Sequence, residues 1–347
     1  MNVMSKRSLL TNEFSVLGDI WSAEKRGAAI VGYAMAVVGG PVLGPIVGGA
    51  IVQSYLRWRW TEYVTGILMF FILTLDVIFL DESYPPVLLV YKARRLRHET
   101  GNWALHAKHE EWDVTIRELG NKYLVRPFQV LFTPIGFLMA LYASFVYGIL
   151  YAQLGAFPIE FQEERGWNMV VGALPFLAVL LGILIGAVTN LLNQQYYINR
   201  FHANGNRPAP EARLPPMMIG SVFFTVGLFI FAWTSDRNIF WIAPCIGAAL
   251  VGYGFFTIFQ AALNYLIDTF QKYAASAVAA NTFLRSVFAG AFPLFITPML
   301  HKLGIGWGVS IFAFVAVAMI PIPYLFFIYG KRIRANGFWS KDSVQYS

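Results

Sequence analysis

The side chains able to do chemistry are few, and most lie in long apolar surroundings. Arg285 has Asn281 one helical turn before it. Gln260, Asn264 and Asp268 recur every four residues, so a helix puts them on one face. If their helices are antiparallel neighbours, Arg285 is brought toward Asp268 or Asn264. Such a pair could belong to a transport path, to an inner gate that breaks and reforms, or to a static link between two helices. Tyr147 and Tyr151 are also one turn apart. They suit an aromatic wall for flat or cationic ligands, with ordinary packing as the alternative. Asp76 reads as an interfacial carboxylate. Enzyme chemistry finds little footing. The five histidines are scattered, and His106 and His109, at i and i+3, lack a further ligand pair. Cys245 is the only cysteine and has no nearby histidine. A phosphate-binding loop of the Walker type is absent. These features predict no enzyme, no metal and no cofactor.

The elements that must position these groups are set by composition. Apolar residues make up 57% of the chain, charged residues 13%, and the mean hydropathy is +0.55. A soluble domain would be about a quarter charged. Eight apolar runs, at 28–52, 61–80, 128–153, 169–191, 216–234, 238–262, 276–299 and 308–330, are each long enough to cross hydrocarbon. Helices satisfy their own backbones in lipid, and the alternating strands of a barrel are absent. The expected fold is all-α: a polytopic membrane protein with about eight transmembrane helices.

The net charge of +7 does not point to nucleic acid, because of where the cations fall. With alternating spans and a cytoplasmic start, twenty Lys and Arg lie inside and five outside, and Arg285 falls within a span. That bias places both termini in the cytoplasm. The organisation expected is a cytoplasmic segment 1–27, two helices in 28–80, a cytoplasmic loop 81–127, a six-helix bundle 128–330 and a tail 331–347. Within the loop, the apolar and basic residues after Pro86 predict an amphipathic helix on the inner leaflet, stopped by Gly101, with a solvated charged linker as the alternative. Thr115-Ile-Arg-Glu118 forms a capping-box pattern for a second helix.

The first run contains Gly39, Gly40, Pro41, Gly44, Pro45, Gly48 and Gly49. On a helix, Gly32, Ala36, Gly40, Gly44 and Gly48 share a face without side chains, which predicts close approach of a neighbouring helix. Pro41 and Pro45 each remove a backbone hydrogen bond and predict a bend.

Gly40-Pro41 followed by Gly44-Pro45-Ile46-Val47-Gly48-Gly49 resembles the antiporter motif in the fifth transmembrane helix of drug:proton antiporters of the major facilitator superfamily. Asp19-Ile20-Trp21 with Glu24-Lys25-Arg26-Gly27 is similar to the loop before that helix, and Trp58-Arg59-Trp60 to the turn after it. Further matches are Pro86-Val87-Leu88-Leu89 with Ala93-Arg94-Arg95-Leu96-Arg97, then Arg126-Pro127, Ala156-Phe157-Pro158, Arg213-Leu214-Pro215-Pro216 and Asn264-Tyr265-Leu266-Ile267-Asp268. Together they resemble the fungal twelve-helix branch that includes polyamine and multidrug exporters. The resemblance implies a truncated major facilitator fold in which the eight runs stand for helices five to twelve. It also implies proton-coupled export of small amphipathic or cationic organic compounds by alternating access. The implied partners are the lipid bilayer, a small-molecule substrate and protons. The implied address is the plasma membrane, with the vacuolar membrane as the alternative. The other reading is a truncated membrane protein without transport activity of its own.

Overall fold

The computed structural model describes residues 23–79, 82, 85–107, 110, 120, 121, 125–205, 207–337 and 339. The first 22 residues, His109, and the capping-box segment Thr115–Glu118 lie outside the described residues, as do Lys341 and Ser347. Nearly all of the described chain is helical, and none of it is in a strand.

Helix α1 (Ala23–Gln53) and helix α2 (Arg59–Phe79) come first, joined by a tight turn. In that turn Arg57 takes a φ of 62°, a conformation costly for a side chain with a Cβ. Helix α3 (Pro85–Thr100) begins on proline and ends at Gly101. The φ of 67° at Gly101 lets its N–H turn back to the Arg97 carbonyl at 3.0 Å. Beyond it, Glu110 accepts from Arg97 at 2.6 Å. The Ala107 N–H first, and then Arg97, hold the Glu110 carboxyl below the usual carboxylate range.

The remaining helices form the bulk of the molecule. A short helix α4 (Arg126–Leu131) leads into α5 (Pro134–Phe157), whose first turn is capped by the Thr133 hydroxyl accepting from the Gly136 N–H at 3.1 Å. The chain continues as a π-helical stretch, Pro158–Glu164. Then follow α6 (Met169–Ala173), α7 (Phe176–Ala203), a 3-10 turn (Pro210–Arg213), α8 (Pro215–Thr234), α9 (Ile242–Thr269), α10 (Ala274–Met319) and α11 (Pro321–Asn336). Prolines open α5, α8 and α11, where a missing N–H removes no helical bond. Pro321 opens its helix after Ile320, whose φ of -51° and ψ of -42° stay helical.

Among the described residues, seven continuous helical stretches are long and apolar enough to cross a membrane, against the eight runs in the sequence. The difference lies in the last stretch, Ala274–Ala335. Its 62 residues would be about 93 Å long if straight, roughly three times the hydrocarbon thickness. It is broken at Gly304, where φ is 74° and ψ is 162°, values open to glycine and strained for other residues. Past the break the chain doubles back, so that Gly308 lies against the Leu300 side chain. The runs 276–299 and 308–330 are thus two arms of one folded-back element.

The core is aromatic and sits among α5, α8, α9 and α10. Phe145 meets Phe224 and Phe292 edge-on, at 6.4 and 6.3 Å between ring centres. Helix α9 is central to this packing. A Cβ added at Gly182 of α7 would overlap the Ala249 carbonyl of α9, and one at Gly220 of α8 would overlap the Thr257 hydroxyl of α9. Helix α2 is the opposite case, because none of its residues is buried.

Candidate functional site

The groups singled out in the sequence come together only in part. Arg285 stands on α10, half-buried, with its guanidinium carbon 4.6 Å from the centre of the Tyr147 ring and 5.3 Å from that of Phe259. Tyr147 in turn lies 5.1 Å from Tyr151, 6.1 Å from Phe255 and 6.0 Å from Phe259. Phe255 and Phe259 stack on each other with their planes 9° apart. Helices α5, α9 and α10 thus supply one aromatic wall with a cation resting on it. The i, i+4 spacing of Tyr147 with Tyr151, and of Phe255 with Phe259, puts each pair on one helix face.

Arg285 does not pair with Asp268 or Asn264, contrary to the expectation from spacing. Asp268 is next to the last residue of α9, whereas Arg285 lies eleven residues beyond the start of α10. At about 1.5 Å per residue, that separates them by roughly 16 Å along antiparallel axes. The residue of α9 that comes opposite Arg285 is Phe259.

Asp268 belongs instead to a charged cluster at one end of the bundle. Its carboxylate accepts from Arg213 Nε at 3.0 Å, and Arg213 Nη1 donates to Gln194 at 2.6 Å. The same guanidinium lies 3.3 Å above the Tyr197 ring. Glu211, two residues before Arg213, accepts from Arg334 of α11 at 2.6 Å. The 3-10 turn is therefore gripped from both sides by α9 and α11. At the other end, Arg165 donates to Glu160 at 2.8 Å, to the Ile239 carbonyl at 2.8 Å and to the Asp236 carbonyl at 2.9 Å. A cavity of about 400 Å³ opens there beside Arg165, Trp167, Arg237 and Trp241, away from Arg285. Sequence reading missed these clusters. The one available signal was a carboxylate, Glu160, set among apolar neighbours and followed five residues later by an arginine.

Several amides stand buried without a partner. Gln260, Asn281 and Gln153 are buried, and Gln260 and Gln153 have neither amide atom hydrogen-bonded among the described residues. The Asn281 oxygen is in the same condition. Asn264, one turn after Gln260, is also buried. Buried amides left open in this way are uncommon and call for water or a ligand. Asp76 is exposed on α2, and the His106 Nδ1 lies 2.7 Å from the Ala104 carbonyl.

The glycine motif also behaves differently from its reading in sequence. A Cβ at Gly32, Gly39, Gly40, Gly44 or Gly48 would meet nothing within 4 Å. Helix α1 is buried instead through Val31, Ala34, Val38 and Val42. At about 100° per residue that stripe lies on the side opposite Gly40 and Gly44. Of the motif residues, Gly49 makes the close contact, its Cβ position 3.3 Å from the Met169 carbonyl of α6. Pro41 and Pro45 lie inside α1, which nonetheless remains one helix.

Long apolar helices, with polar groups and a cation between them, describe an integral membrane protein. Residues 7–293 match the Major Facilitator Superfamily, and the chain belongs to that family. It is 52% identical over 327 residues to the efflux pump bik6 of Gibberella fujikuroi, covering 94% of this chain and 67% of the pump. It is 46% identical to the ascochitine biosynthesis cluster MFS transporter of Didymella fabae, over 92% of this chain and 62% of that protein. It is 44% identical to the citrinin biosynthesis cluster MFS transporter mrr1 of Monascus ruber, over 92% of this chain and 64% of that one. The chain thus spans about two thirds of the length of these relatives.

Proposed function

We propose that the chain carries the machinery of a proton-coupled exporter of small amphipathic organic compounds, working by alternating access with both termini in the cytoplasm. The observation that carries this reading is the Arg285–aromatic wall, a charged and ring-lined surface within an apolar bundle. In this reading the wall and the open amides of Gln260 and Asn281 line the path. The end holding Arg213, Asp268, Glu211 and Arg334 is the cytoplasmic end, in keeping with the positive-inside distribution. The Arg213–Asp268 pair breaks and reforms as a gate. The plasma membrane is the proposed location.

The test is transport by the chain itself in proteoliposomes, with an imposed pH gradient and a panel of fluorescent amphipathic compounds. Movement that collapses with the gradient, and is lost in Asp268→Asn, is the expected result. Movement indifferent to the gradient removes proton coupling. The absence of any movement favours the second reading, a membrane protein without transport of its own. That reading draws support from α2, which buries no residue.

A further inference from the structure

We propose that Arg285 makes the aromatic wall a site for organic anions with a flat ring body, such as aromatic carboxylates. The inference rests on the reading of this wall as the substrate path, and it narrows the substrate class.

Three observations lead to it. The first is the pairing of charges. Three largely buried arginines of the bundle each have an acid: Asp268 holds Arg213, Glu211 holds Arg334 and Glu160 holds Arg165. Arg285 is left over, with no ion pair or hydrogen bond among the described residues and only ring contacts. The second is depth. Arg285 sits well inside a membrane-spanning arm, where an uncompensated cation costs several kcal/mol. Stacking on Tyr147 and Phe259 offsets part of that cost but supplies no acceptor for its N–H donors. The third is shape. A guanidinium offers a planar fork that matches a carboxylate with two parallel hydrogen bonds. Tyr147, Tyr151, Phe255 and Phe259 supply ring surface beside it for an aromatic body. Without Arg285 the same wall would suit a cation; with it, a cationic ligand meets a like charge in a medium that screens poorly. The open amide nitrogen of Gln260, the residue after Phe259, can donate a further hydrogen bond to an anion.

The experiment is equilibrium dialysis of the purified chain in lipid nanodiscs, with empty nanodiscs as baseline. The probes are naphthalene-2-carboxylate, its neutral carboxamide and 2-naphthylmethylammonium. The carboxylate is expected to bind about ten- to a hundredfold more tightly than the carboxamide, the factor that a hydrogen bond to a charged group supplies. The ammonium is expected to bind weakest. Arg285→Gln removes the preference, so that the carboxylate binds no more tightly than the carboxamide, while Arg285→Lys keeps the sign of the preference. Equal binding of the three probes, tighter binding of the ammonium, a preference that survives Arg285→Gln, or no carboxylate binding at all overturns the proposal. Should Arg285→Gln fail to fold, the wild-type ranking and Arg285→Lys decide. A chain that shows the preference yet moves nothing across a bilayer retains the anion site and loses only the exporter reading.

Discussion

Gly32, Gly40, Gly44 and Gly48 run along one face of α1, and none of them has a neighbour within reach of a Cβ. Gly182, Gly220, Gly227, Gly247, Gly252 and Gly254 are spread over α7, α8 and α9, and each holds another helix against its own backbone. The second set is reciprocal. Gly227 faces Gly247, and Gly220 faces Gly254. The glycines of α1 are denser in sequence, yet the scattered ones bring helices together. A small residue permits close approach only where the opposite surface is also small, and that match is a property of two helices. One helix can advertise a groove, but it cannot supply the ridge.

The contrast can be broken most decisively at Gly182. A leucine there has to displace the Ala249 backbone, which cannot rotate away, so Gly182→Leu is expected to cost about 3 kcal/mol. Melting in detergent checks this, and a wild-type transition would show that α7 and α9 are not in contact at that point. Next in size is Arg213→Ala, which leaves Asp268 without its cation. Both side chains keep some exposure, so about 2 kcal/mol is expected, less than for a fully buried pair. Adding Asp268→Asn should return part of the loss, and strict additivity of the two changes would argue against the pair. On α1, Val42→Ala opens a gap on the packed stripe and is expected to cost about 1 kcal/mol. Gly44→Leu points into open space and should stay within about 0.5 kcal/mol. If Gly44→Leu proves the costlier of these two, the packed face of α1 is the glycine row after all.

The chemistry divides along the same line. Arg285, Tyr147 and Tyr151 were visible in sequence because an ionisable group or a pair of rings stands out within an apolar run. Their partners were not visible. Phe259 looks like any other core phenylalanine until the register of α9 against α10 sets it opposite Arg285. Glu160 and Arg165 fall at the edge of an apolar run, where charges are ordinary, and only the fold shows that the pair is buried against the turn between α8 and α9.

Sequence alone determined the class of this protein. Long apolar runs and few charges demand membrane helices, because lipid offers no partner for an open backbone. The tertiary structure decided which faces meet. Arg285 is separated from Asp268 by the length of chain between the end of α9 and its own position on α10. Gly304 turns two apolar runs into the arms of one element, and the valines of α1 are packed instead of its glycines. Periodicity places residues on a face of a helix, but the rotation of that helix about its axis is set by the neighbour it fits.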